Sequence, residues 1–178
     1  MKARINQITL ELNLARIAML GEQKEDENIY FRMFLKGQDP DKVDRIVHRI
    51  NKEVTAQIDC QQCGNCCRTL KPCVSESEIK RLAQIKNMAT SEFTSQFIET
   101  DSFDGVKFLK DAPCIFLNDK SCSVYPDRPK DCRSYPHTHK PGFTSRTIGM
   151  IHNYSVCPIV YNVLERLKQE LNYRVYRR

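Results

Sequence analysis

Apolar residues recur at helical spacing through most of the chain. Ile5, Ile8, Leu12 and Met19 form one stripe, with Leu10, Leu14 and Ile17 beside it, and they predict a helix over 5–20. Alternation across 8–14 would also suit a strand, but the longer helical pattern is preferred. Gly21 then punctuates. The acidic run Glu22–Glu27 opens a second helix that closes near Lys36-Gly37, with Ile29, Tyr30, Met33 and Phe34 as its apolar side. Acidic residues at its start and Lys-Gly at its end suit the helix dipole and C-cap. Asp39-Pro40 reads as N-cap and first helical position of a third helix, whose core face is Val43, Ile46, Val47, Ile50 and Val54.

The middle of the chain has shorter elements. Ser75-Glu76-Ser77-Glu78 is a capping box for a helix carrying Ile79, Leu82 and Ala83. Thr90 or Ser91 caps another, with Phe93, Phe97 and Ile98 facing inward. Asp104-Gly105 turns into an alternating strand over Val106–Leu109, and 114–125 reads as a small hairpin turning at Asn118-Asp119-Lys120. Pro158 begins a last amphipathic helix with Ile159, Val160, Val163, Leu164, Leu167 and Leu171. The expected fold is mainly α with a small β-hairpin. Its expected divisions are a helical N-terminal segment (1–59), a compact metal-stapled domain (60–157) and a C-terminal helix packing on it (158–178).

Cysteine changes this picture most. Nine occur in 178 residues, four of them as Cys60-x2-Cys63-Gly64-x-Cys66-Cys67. Thiolates packed this closely repel one another and oxidise readily unless a soft cation lies between them; zinc, copper(I) and iron–sulfur units are what thiolate sulfur selects. Gly64 suits a crowded turn that folds the sulfurs inward. Residues 1–59 hold no uninterrupted apolar stretch resembling a secretory leader or a membrane span, so a cytoplasmic setting with reduced thiols is expected. The net charge of +6 is spread out: residues 1–59 carry ten basic and ten acidic side chains, and the tail Arg174–Arg178 supplies much of the excess. That distribution argues for a solvated surface rather than a nucleic-acid face and leaves an unspecified protein partner open.

Further cysteines follow at wider spacing. Cys132 stands near Arg128 and Arg133, whose charges are expected to lower its pKa. Cys157 precedes Pro158, which puts it at a helix N-cap, where the dipole favours thiolate and a ligand role. Cys73 falls in a Lys71-Pro72-Cys73 turn. His48, His137, His139 and His152 read as ordinary surface or loop histidines.

Taken in order, Cys60-x2-Cys63-Gly64-x-Cys66-Cys67, Cys114-x-Phe116-Leu117, Cys122-Ser123-Val124-Tyr125, Arg128-Pro129-x2-Cys132-Arg133-x-Tyr135-Pro136 and Cys157 resemble the YkgJ-like cysteine-cluster family over 60–157. The shared region of that family is described as zinc- or iron-chelating. The resemblance implies metal binding through Cys60, Cys63, Cys66, Cys67, Cys114, Cys122, Cys132 and Cys157, with Cys73 outside the pattern. Cys60, Cys63 and Cys66 also repeat the first three positions of the bacterial ferredoxin C-x2-C-x2-C-x3-C-P run, and Cys157-Pro158 offers a remote Cys-Pro. An iron–sulfur cluster or iron is therefore preferred, with zinc as the alternative. No nucleotide-binding loop or hydrolase motif occurs, so a binding protein is preferred to an enzyme. Two alternatives stay open: an S-adenosylmethionine-dependent protein lysine methyltransferase, since a related cluster occurs in flagellin lysine methylases, and a zinc-stapled module that binds protein or nucleic acid.

Overall fold

A computed structural model describes residues 9–174. Ile5 and Ile8 of the first apolar stripe, and the basic tail beyond Arg174, lie outside them. In chain order the α-helices are α1 (Leu14–Gln23), α2 (Glu25–Lys36), α3 (Pro40–Thr55), α4 (Cys60–Cys63), α5 (Asn65–Thr69), α6 (Glu76–Ile85), α7 (Thr90–Phe97), α8 (Lys130–Ser134), α9 (Phe143–Tyr154) and α10 (Pro158–Glu170). The strands are β1 (Ile98–Thr100), β2 (Lys107–Leu109), β3 (Leu117–Asn118) and β4 (Ser121–Cys122), and one 3-10 turn spans Tyr125–Asp127. The fold is mainly α with small β ribbons, as the patterning predicts. Among the described residues no helix is long and apolar enough to cross a membrane.

The described chain divides into two compact units. The first joins residues up to Ile58 with those from Pro136 onward, and the second is Asp59–Tyr135. In the first unit, α3 presents Val43, Val47, Ile50 and Val54 to the core at intervals of three and four residues. Asp39 caps it, its carboxylate accepting from the amides of Asp41 (2.9 Å) and Lys42 (3.2 Å), with Pro40 in the first turn. Helix α10 packs along α3, and α9 packs against α2, α3 and α10. Asp44 on α3 anchors the start of α9 by accepting from the amides of Gly142 (2.6 Å) and Phe143 (2.8 Å). Helix α10 buries most of its length, from Pro158 through Leu164 and again at Leu167 and Lys168. Burying each of its aliphatic side chains is worth about 1.5–3 kcal/mol.

Three expectations for this unit need correction. The first helix starts at Leu14, capped by Asn13, so Leu12 lies outside it and is 54 % exposed. Gly21 does not end that helix; a Cβ there would sit 2.4 Å from the Ser155 Cβ, so the glycine serves close packing. On α2 the buried face is Asn28, Phe31 and Leu35, whereas Ile29, Tyr30 and Met33 face outward. That helix is apolar on both sides, and its rotation is set by neighbours: Phe31 stacks with Phe34, meets the Tyr173 ring at a tilt and lies under the Lys168 ammonium.

The second unit has its own core of Val74, Ile79, Leu82, Ala83, Phe93, Leu109, Phe116 and Val124. The expected capping box starts α6, with the Ser75 amide donating to Glu78 Oε2 at 2.9 Å. Ala89, not Thr90 or Ser91, is the N-cap of α7. Ile98 leaves that helix to open β1, which pairs antiparallel with β2, so the strand expected at Val106–Leu109 has a partner that the pattern did not reveal. Cys73 does not sit in a turn but bridges to Phe108 on the edge of β2. The hairpin in 114–125 shrinks to the pairs Leu117–Cys122 and Asn118–Ser121.

Candidate metal centre

The four clustered cysteines lie on two short helices that meet at the Gly64 turn. Asp59 caps α4, accepting from the Gln61 amide at 2.9 Å, and the one-turn helix sets Cys60 and Cys63 three residues apart on one side. Gly64 breaks the helix with φ +60°, and α5 then carries Cys66 and Cys67. A Cβ on Gly64 would lie 2.5 Å from the Lys120 carbonyl oxygen, so both the backbone angle and the space demand glycine. Helix α4 lies against β4, which carries Cys122. The Cys114 amide donates to the Cys67 carbonyl at 2.8 Å.

Cys132 is brought in by α8, and Glu78 positions that helix. Its Oε2 closes the capping box of α6, while Oε1 accepts from the Lys130 amide at 2.6 Å. The neighbouring Asp131 accepts from the Cys73 amide at 3.1 Å. Burial pushes the Glu78 carboxyl up, but these amide donors outweigh it and leave the group below its ordinary range.

The sulfurs sense one another. Cys66 and Cys67 Sγ are 4.0 Å apart, and the hydrogen bond between them pulls Cys67 well below the usual thiol range; burial opposes this, and Arg68 assists it. Cys132 is pushed up to about 12, first by burial and then by the charges of Cys67, Cys114, Asp131 and Cys122. Cys60 is raised by burial and by Cys63, Asp59 and Cys67, with Arg128 opposing. Cys114 is raised by burial and, after the opposing Phe116 amide, by Cys67 and Cys122. Cys122 rises for the same reasons, burial first and then Cys67, against the Val124 amide and Arg128. One charge, on Cys67, is thus felt at Cys60, Cys114, Cys122 and Cys132. Such a set cannot ionise fully without a cation among its members, which is the chemistry a soft metal supplies. The donor set fits a thiophilic metal. Among the described residues, however, no group of three or more His, Cys, Asp or Glu side chains is drawn together tightly enough to grip an ion.

The expectation that Arg128 and Arg133 lower Cys132 fails. Arg128 stacks on the Tyr125 ring, 3.6 Å from its centroid, and its charge favours Cys60 and Cys122 instead. Arg133 donates to the Arg128 carbonyl at 2.7 Å. Cys73 is exposed, and the charges that raise it, after burial, are those of Asp131 and Asp104 rather than of another cysteine. Cys157 belongs to the first unit, where it is buried at the N-cap of α10 before Pro158, as its sequence context predicts. The four histidines also lie in the first unit; His139 and His152 are exposed, and His48 Nε2 is 3.4 Å from the Lys140 carbonyl.

A family model named CxxCxxCC, described as "Putative zinc- or iron-chelating domain", matches residues 59–158, more than half of the chain. The chain belongs to the CxxCxxCC family. The match begins at Asp59, the residue that caps α4, and ends just past Cys157, so it takes in all eight cysteines of the sequence pattern. No curated protein and no solved structure matches the chain.

Two residues of the centre escaped the sequence pattern. Asp59 was legible in principle as a cap before Cys60. Arg68, which donates to the carbonyls of Cys63 (3.0 Å) and Asp119 (2.6 Å), carried no local signal, because its second partner is fifty-one residues away.

Proposed function

We propose that this protein binds iron, held as an iron–sulfur centre by thiolates drawn from Cys60, Cys63, Cys66, Cys67, Cys114, Cys122 and Cys132, and that it works as a metal-binding protein rather than an enzyme. The observation that carries the reading is the packing of the two cysteine groups within one unit: the Cys66 and Cys67 sulfurs are 4.0 Å apart, the Cys114 amide donates to the Cys67 carbonyl at 2.8 Å, and α4 lies against the strand that carries Cys122. Cys60, Cys63 and Cys66 at ferredoxin spacing favour iron–sulfur chemistry over a lone ion. The chemistry requires thiols kept reduced, as in the cytoplasm.

Zinc is the second reading, on a specific distance. Zinc in tetrahedral thiolate coordination, with Zn–S bonds of about 2.3 Å, spaces its sulfurs about 3.8 Å apart. The Cys66–Cys67 separation of 4.0 Å is close to that edge. Purification without oxygen, followed by iron, zinc and acid-labile sulfide analysis, separates the two. An iron–sulfur centre gives a brown protein with stoichiometric sulfide that loses its colour in Cys67→Ser and keeps it in Cys73→Ser. A colourless protein with stoichiometric zinc refutes the iron assignment, and a protein that takes up neither metal refutes both readings.

A further inference from the structure

The cysteines of the Asp59–Tyr135 unit come in two halves that are far apart in sequence. Cys60, Cys63, Cys66 and Cys67 lie on α4 and α5, whereas Cys114, Cys122 and Cys132 follow more than forty residues later. A centre built from both halves needs their spacing held to a fraction of an ångström, because metal–ligand geometry tolerates little error. We propose that Arg68 is the positioning residue of the metal centre, clasping the two halves together through its guanidinium fork. This rests on the metal-binding reading above.

The geometry is specific. Nη1 donates to the Cys63 carbonyl, left without a helical partner where α4 ends, and Nη2 donates to the Asp119 carbonyl in the turn between β3 and β4. One planar group thus spans the end of the first Cys-x2-Cys turn and the turn that leads to Cys122. The same junction is tight at two further points. Gly64 has no room for a Cβ against the Lys120 carbonyl, and the Cys114 amide is bonded to the Cys67 carbonyl. Asp119 itself has φ +52°, so the turn is shaped to present its carbonyl. Two acceptors at fixed separation suit the five-donor guanidinium; a lysine ammonium on its flexible stem supplies the charge without the fork. Arg68 bonds to none of the sulfurs; the clasp acts through the backbone that carries them, and its charge, which also favours the Cys67 thiolate, is kept in Arg68→Lys and lost in Arg68→Gln.

The test uses the full chain as wild type, Arg68→Lys, Arg68→Gln and Arg133→Gln, stripped of metal under reducing, oxygen-free conditions. Each is titrated with cobalt(II), whose sulfur-to-metal absorption reports thiolate coordination, and then with zinc against a competing chelator. Far-UV circular dichroism of the stripped proteins checks the fold. Loss of an outer-shell partner of metal ligands typically costs about 10- to 100-fold in affinity, and both Arg68 variants are expected to lose that much, with an altered cobalt spectrum. Arg133→Gln, which removes a charge beside Cys132 but no clasp, is expected to bind as wild type does. Wild-type affinity and spectrum in Arg68→Lys with a loss only in Arg68→Gln would mean that charge alone matters, and would overturn the clasp. Unchanged binding in both variants would overturn it too, as would stripped variants that have lost helicity, which would place Arg68 in folding. A wild-type protein with no thiolate–cobalt absorption would instead bring down the metal-binding reading itself.

Discussion

Replacing Gly64 by alanine tests whether the junction between α4 and α5 is as constrained as its geometry indicates. Two separable penalties arise. At φ +60° an L-residue pays about 1–2 kcal/mol for left-handed backbone. The new Cβ would also lie 2.5 Å from the Lys120 carbonyl oxygen and 3.0 Å from its carbon, which are backbone atoms that cannot swing aside. Forcing such a contact costs a further 1–3 kcal/mol or so, giving about 2–5 kcal/mol in total. Gly105 supplies the internal reference. Its φ is +71°, yet nothing lies within 4 Å of the corresponding Cβ, so Gly105→Ala should pay only the backbone penalty. Gly64→Asn relieves the backbone penalty and keeps the clash, since asparagine tolerates the left-handed region. Urea unfolding of the metal-loaded proteins, reduced and oxygen-free, measures all three against wild type by linear extrapolation. The expected order of loss is Gly64→Ala, then Gly64→Asn, then Gly105→Ala. Equal losses for Gly64→Ala and Gly105→Ala would refute the reasoning, because the Lys120 contact would then contribute nothing.

Gly21→Ala should destabilise the first unit although a helical glycine-to-alanine change ordinarily gains about 1 kcal/mol; the 2.4 Å approach to Ser155 Cβ reverses the sign, and a variant with a higher thermal midpoint would contradict it. Stability of the first unit should fall as pH drops below the ordinary carboxylate range. Burial pushes Glu165 up, but Lys168 and Lys24 hold it below its ordinary pKa, and Glu53 is held down chiefly by Arg166. A carboxylate with a depressed folded pKa stabilises above its unfolded pKa of about 4.3 and loses that contribution as pH falls through the folded value. Glu165→Gln should therefore flatten the acid limb of a stability–pH curve, and an unchanged limb would refute the assignment. Chelation should loosen 59–70 and α8 first, since neither α4, α5 nor α8 buries a residue completely, while α6 and α7 keep their packing around Phe93. Hydrogen exchange with and without a strong chelator checks this; uniform loss of protection across the Asp59–Tyr135 unit would count against it.

Local chemistry was legible where it acts over a few residues. Asp39-Pro40 and the Ser75–Glu78 box cap the helices that they predict, because a cap needs only the amides of the next turn, and Cys157-Pro158 marks the start of α10. The positive φ of Gly64 and the CxxCxxCC spacing that gives the family its name were likewise written into their own segment. What distant packing controls was not legible. The face that α2 buries depends on Phe34, Tyr173 and Lys168 around Phe31, and a helix apolar on both sides does not announce its rotation. Whether Gly21 ends a helix or lets Ser155 approach depends on a residue more than a hundred positions away. The bond from Arg68 to Asp119 likewise joins partners that no short window contains. The same holds for the thiols. Spacing identified them as ligand candidates, but which ones are raised and which lowered followed from burial and from neighbours across the unit, so Arg128 serves Cys60 and Cys122 and leaves Cys132 high. Charges and contacts act through space, and only the folded chain sets those distances.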